Sequence, residues 1–189
     1  MFNLKRFLDI FLSVILIIIL LLPFLILIAV IKIDSYGPVF HFSKRVGLNS
    51  NVFSMPKFRT MKEFTPQLES NKLNNAESHL TNAGKFLRKY SIDELPQLFL
   101  VLIGTMTLVG PRPALYNQHE LIEKRKNLGI DKIKPGLTGL AQISGRDFLE
   151  LDAKIFYDLE YLKKRTFFFD IKIIFKTIFV VIKKKGILH

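Results

Sequence analysis

Hydrophobic positions follow three patterns along this chain, and the first is an unbroken run. Residues 10–31 are 22 uncharged residues in succession, with Ser13 and Pro23 the only departures from apolar character. A helix of that length measures about 33 Å, enough to cross a hydrocarbon core of about 30 Å. The run is longer than the apolar part of a secretory signal and no small-x-small cleavage site follows it, which predicts a retained helix. Pro23 removes the hydrogen bond to the Ile19 carbonyl and predicts a kink, leaving arms of about 20 and 12 Å that are each too short to cross alone. Lys5 and Arg6 precede the run, and Lys32, Lys44 and Arg45 follow it, so the positive-inside bias assigns no orientation. A kinked single span and a re-entrant helical hairpin with both ends on one side are both open at this stage.

The second pattern occupies the middle. Residues 39–46 and 52–59 are β-prone and separated by Gly47-Leu48-Asn49-Ser50-Asn51, which predicts a hairpin. Residues 60–81 are polar and read as a surface loop with a short helix. Leu95, Leu98, Phe99 and Leu102 recur at helical spacing, as do apolar positions within 115–128 and 149–162. The third pattern closes the chain: from 163 to 189, phenylalanines and isoleucines interleave with charge. At 100° per residue Arg165, Lys172, Lys176 and Lys183 fall within an arc of about 40°. An interfacial helix fits this pattern, and a core helix with a solvated lysine stripe is the alternative. The expected architecture is α+β and predominantly helical: a membrane-inserted segment 1–36, a cytosolic domain 37–162 and a basic amphipathic tail 163–189.

Composition sharpens this picture. The 189 residues carry 28 Lys+Arg and 16 Asp+Glu, a formal +12 on a chain that is 49% hydrophobic. Eight of the basic residues and one acid, Asp170, lie in the tail, which therefore holds +7 of that charge beside many phenylalanines. Anionic lipid headgroups suit such a segment better than nucleic acid, because its lysines alternate with side chains that water would not tolerate. The absence of cysteine excludes thiol nucleophiles and Cys-ligated metals and agrees with a reducing compartment. No Walker A loop, GxGxxG, HExxH or Asp-x-Asp pair is present, and His41, His79, His119 and His189 lack ligand spacing.

What remains is one acidic pair among cationic islands. Arg88-Lys89-Tyr90-Ser91-Ile92-Asp93-Glu94-Leu95-Pro96 places two carboxylates just after two cations. Ser91-x-x-Glu94 also matches a capping box, although Pro96 is ill placed inside such a helix. Arg88 and Lys89 predict an ionised Asp93. Gly110-Pro111-Arg112-Pro113 fixes the backbone on both sides of an arginine, which suits an anion grip or simply a rigid turn. The segment from Lys134 to Arg146, with Gly136, Gly139 and Gly145, has the flexibility and terminal arginine of a phosphate loop. Lys57-Phe58-Arg59-Thr60-Met61 ends the hairpin with alternating cations. Together these point to phosphate chemistry at a bilayer surface; a non-enzymatic membrane-tethered module for anionic lipids or partners is the alternative.

Lys57-Phe58-Arg59-Thr60-Met61, Ser91-Ile92-Asp93-Glu94-Leu95-Pro96-Gln97-Leu98, Gly110-Pro111-Arg112-Pro113, and Pro135-Gly136-Leu137-Thr138-Gly139-Leu140-Ala141-Gln142 with Gly145-Arg146 resemble the bacterial sugar transferases, the monotopic phosphoglycosyl transferases, in their minimal catalytic form. The resemblance runs in order over nearly the whole chain. It implies transfer of a sugar 1-phosphate from a UDP-sugar to a polyprenol phosphate, usually undecaprenyl phosphate, with release of UMP, at the start of surface glycan or glycoconjugate synthesis. It further implies Asp93 as the nucleophile of an aspartyl phosphosugar intermediate and as a Mg²⁺ contact, with Glu94 as its partner. Lys57, Arg59, Arg88, Arg112 and Arg146 are the implied phosphate-binding set. Topology is implied to be a re-entrant hairpin broken at Pro23, with the domain on the cytosolic face of the inner membrane of a bacterium.

Overall fold

The computed structural model describes residues 2–63, 65, 76–145 and 148–183. Helix α1 (Phe2–Asp34) contains Pro23 in its interior, and the chain stays helical on both sides of it. The two arms of a hairpin are not formed as separate helices. Proline disturbs only the turn that precedes it, and the long apolar arms supply the remaining backbone bonds. α1 is long and apolar enough to cross a membrane.

One stripe of α1 faces the protein. Asp9, Ser13, Phe24 and Ile31 on it are buried, and Leu12, Ile17, Leu20, Leu27 and Ile28 pack beside them. The rest of the helix presents exposed apolar side chains such as Phe7, Ile18, Ile19 and Leu22. Polar anchors mark both ends of the stripe. Lys5 Nζ donates to the Val109 carbonyl (3.0 Å), the Tyr161 hydroxyl (3.1 Å) and the Asp170 carboxylate. Asp9 accepts from Thr107 Oγ1 (2.7 Å) and Leu108 N (3.0 Å). At the other end, Asp34 accepts from Ala83 N (2.9 Å).

The predicted hairpin is formed by β1 (Phe40–Val46) and β2 (Val52–Phe58), antiparallel from Phe40 opposite Phe58 to Val46 opposite Val52. A short strand β4 (Ala114–Leu115) joins the other edge of β1. A second sheet pairs β3 (Thr107–Val109) in parallel with β5 (Gly136–Thr138). Strand β5 occupies part of the segment, Lys134 to Arg146, read from sequence as a phosphate loop. Gly136 lies so close to Gly110 that a Cβ on it would stand 2.1 Å from the Gly110 nitrogen, so close backbone approach accounts for glycine here.

Among the described residues six further α-helices complete the order: α2 (Asn82–Lys89), α3 (Leu98–Ile103), α4 (His119–Asn127), α5 (Leu140–Ser144), α6 (Leu151–Lys164) and α7 (Phe167–Ile182). Arg6 donates to the Val101 and Leu102 carbonyls, both at 2.6 Å, and satisfies groups that the end of α3 leaves open. The main core joins Met55, Leu98, Val101, Met106, Val109, Tyr161 and Ile173. Through Ile173 the tail helix α7 contributes to that core. Phe168, Phe175 and Phe179 on the side of α7 away from Ile173 are exposed, and Lys172 and Lys176 on its flank, with Arg165 before the helix and Lys183 after it, are exposed as well.

Candidate active site

Asp93 and Glu94 sit in a 3-10 turn, Ile92–Gln97, that precedes α3. Pro96 explains the tight turn, since in an α-helix its ring would press on the carbonyl four residues back. Ser91 enters it in the left-handed conformation, φ 55°, with no side-chain cap bond. Glu94 therefore makes no capping box, and its carboxylate is used elsewhere. Arg112 donates to both its oxygens, Nη2 to Oε1 at 2.6 Å and Nη1 to Oε2 at 3.2 Å. Lys57 Nζ reaches Oε1 at 2.7 Å and lies 3.7 Å from Asp93 Oδ2. Strand β2, the turn and the Gly110–Pro113 segment thus meet at the two carboxylates.

Their environments push the two acids in opposite directions. Burial raises the Asp93 carboxyl above its ordinary range, reinforced by neighbouring Glu94 and opposed by Lys57, Arg88 and Arg112. Burial acts the same way on Glu94, but the charges of Arg112 and Lys57, with their hydrogen bonds, outweigh it and hold that carboxyl well below its ordinary range. The direction at Asp93 is opposite to what its adjacent cations alone give, because the sequence does not display burial. The outcome is a firmly ionised Glu94 beside a more basic Asp93.

The remaining predicted residues are distributed as follows. Arg88, at the end of α2, bonds Thr60 Oγ1 through Nε (3.1 Å) and acts electrostatically on Asp93. Arg59 is buried, and its guanidinium donates to the Ser35 and Tyr36 carbonyls and to Ser35 Oγ, so it ties down the end of α1 instead of joining the cluster. Arg146 lies outside the described residues. His41 stands opposite Lys57 in the hairpin, and burial together with Lys57, Arg45 and Arg88 lowers its imidazole below the ordinary value. Among the described residues no group of three His, Asp or Glu forms a ready metal cage.

Sequence reasoning misses a buried pair behind the arginine loop. Arg125 on α4 donates through Nε (3.0 Å) and Nη2 (2.5 Å) to Asp158 Oδ2 on α6, and through Nη1 to the Arg112 carbonyl (2.8 Å). The available signal is spacing: Asp158 lies midway between Ile155 and Tyr161 on the buried stripe of α6, and Arg125 follows buried Leu121 by one turn.

A family model described as bacterial sugar transferase matches residues 1–184. An uncharacterised sugar transferase of Bacillus subtilis, EpsL, is 39% identical over 97% of this chain and 90% of its own length. The UDP-glucose:undecaprenyl-phosphate glucose-1-phosphate transferase of Escherichia coli is 40% identical over 93% of the chain. The undecaprenyl-phosphate galactose phosphotransferase of Salmonella typhimurium is 38% identical over 97%. The chain spans 39% and 41% of the lengths of these last two proteins. The chain belongs to the bacterial sugar transferase family, a family of enzymes.

Proposed function

We propose that this enzyme transfers a sugar 1-phosphate from a UDP-sugar to undecaprenyl phosphate or a similar polyprenol phosphate, releasing UMP. The observation that carries the reading is the Lys57-bridged pair of carboxylates whose basicities are pushed apart. In the first step an Asp93 oxygen attacks the sugar-bearing phosphorus and the bond from that phosphorus to the UMP oxygen breaks. In the second, a phosphate oxygen of the lipid attacks the same phosphorus, freeing Asp93 and leaving a polyprenyl diphosphosugar. An aspartate made more basic by burial is the better nucleophile, and splitting one displacement into two lowers the barrier of each.

Glu94 fixes Arg112 and Lys57 as a preorganised pair of cations. Arg112 donates to Glu94 through two of its N–H groups, which holds the guanidinium beside the carboxylates where its charge would act on the transferring phosphate. Arg88 adds charge from the α2 side. Glu94 is committed to Arg112 and Lys57, so Asp93 is the carboxylate that would hold Mg²⁺ together with the substrate phosphates, an environment that ion accepts. Such an ion would supply charge neutralisation on the pyrophosphate. The apolar surface of α1 and the basic and aromatic residues of α7 support a membrane-bound enzyme, which we assign to the cytosolic face of the bacterial inner membrane, where lipid acceptor and soluble donor meet. Membranes carrying the enzyme are expected to release UMP from one or a few UDP-sugars, given polyprenol phosphate and Mg²⁺. Asp93→Asn abolishes release while expression is unchanged. Full turnover by that variant would overturn the assignment of Asp93 as the nucleophile, and absence of release from the wild type would favour a tethered binding module.

A further inference from the structure

The segment that delivers Arg112 has few handles. Pro111 and Pro113 lack N–H groups, so the backbone on either side of the arginine is held through carbonyls. Gly136 N donates to Pro111 O (2.8 Å), Arg45 Nη1 to Pro113 O (3.3 Å), and Arg125 Nη1 to the carbonyl of Arg112 itself (2.8 Å). Arg125 is 9% exposed and Asp158 1% exposed. A buried ion pair of this kind contributes little net stability compared with an apolar pair of similar volume, so stability alone does not explain it. Geometry does. The planar guanidinium engages Asp158 on one side of its fork and so aims Nη1 at the carbonyl, which the single point charge of a lysine does not reproduce.

We infer that Arg125, seated on Asp158, is a positioning residue that fixes the backbone from which Arg112 reaches Glu94 and the donor's phosphate. The inference rests on the transferase reading for its catalytic consequence. A displacement of about 1 Å at a group that contacts the reacting centre costs up to about 100-fold in rate.

The test replaces the pair by apolar residues, Arg125→Met with Asp158→Leu, so that no buried charge is left alone. This variant is expected to fold, as judged by circular dichroism and melting, and to lose about 10- to 100-fold in kcat with a much smaller change in KM for the UDP-sugar. In an Arg112→Lys background the same replacement costs less than about twofold further, because residues acting through one another are not additive. Wild-type turnover in the folded variant, or an equal loss in both backgrounds, overturns the inference. A second readout needs no reaction: the Arg112 Nε–H resonance of ¹⁵N-labelled protein is sharp in the wild type and broadened in the variant. An unchanged resonance counts against positioning. Absence of UMP release from the wild type with every UDP-sugar counts against the transferase reading alone.

Discussion

Removing Lys5 tests whether α1 is fastened to the domain by chemistry rather than by apolar contact. Its ammonium meets Asp170, the Tyr161 hydroxyl and the Val109 carbonyl, and thereby joins α1, α6, α7 and β3 at one point. The Asp170 side chain is 5% exposed and that of Lys5 37%. Taking one partner from a buried pair costs about 3–5 kcal/mol, because the other charge is left without compensation. Lys5 is more than one-third exposed, so water replaces part of the interaction and Lys5→Met is expected to cost about 2–3 kcal/mol. For a domain of this size that lowers the melting temperature by about 4–12 °C. Adding Asp170→Leu removes the stranded carboxylate, while the Tyr161 hydroxyl keeps its 2.8 Å bond to the Val109 carbonyl. The double variant is therefore expected to regain at least half of the loss, measured by circular dichroism in detergent with proteolysis at α7 as a second probe. A single variant within about 0.5 kcal/mol of wild type, or a double variant no better than the single, refutes the reasoning.

Glu94 has a depressed folded pKa, so its contribution is complete above the unfolded value of about 4.3 and is lost as pH falls through the folded one. The stability gap between wild type and Glu94→Gln is expected to be largest at neutral pH and to close on acidification, and a pH-independent gap contradicts this. Asp93 has the opposite sign, since its folded pKa is raised and ionisation costs stability as pH rises through it. Asp93→Asn is therefore expected to melt higher than wild type at pH 7 while losing transfer, and a lower melting point counts against the burial argument. A fluorophore at Phe175, which is 60% exposed, is expected to be quenched by nitroxide lipids in anionic vesicles. Reversing Lys172 and Lys176 to Glu weakens that quenching, at about 1 kcal/mol per removed lysine, and unchanged quenching argues against α7 lying at headgroups.

The hairpin was legible because alternation and a five-residue turn signal are local. So were the long apolar helix, the acidic pair, Lys57 and Arg112. The parallel pairing of β3 with β5 was hidden because three-residue strands carry no periodicity, and their glycines resemble those of a phosphate loop. Arg59 looked equivalent to Lys57 two residues earlier. Its burial against the carbonyls ending α1 depends on a contact made 23 residues away in sequence. Arg125 and Asp158, 33 residues apart, each read as one charge on an amphipathic helix, and only packing brings them behind Arg112. In each case the unreadable part is long-range partnership, which decides whether a cation is free for substrate or spent on the backbone.

That partnership also bears on how α1 meets the bilayer. Twenty-nine residues separate Lys5 from Asp34, about 44 Å along a straight helix, yet both are bonded to the same domain. A simple span would place those ends on opposite sides and carry α2 or α7, with their charged side chains, through the hydrocarbon. Transferring even one lysine or arginine to the bilayer centre costs about 2.5–3.5 kcal/mol on insertion scales, and these helices carry several. A course of α1 with both ends on one side and its exposed apolar surface in the leaflet, which we propose, retains the same domain contacts at far lower cost. Cysteines at Leu4 and Lys44, both exposed and neither an anchor, are expected to label together from the cytosolic side of sealed vesicles and not from the other. Labelling of the two from opposite sides requires α1 to part from either Asp170 or Ala83, and with it the reading that both anchors hold in the membrane fails.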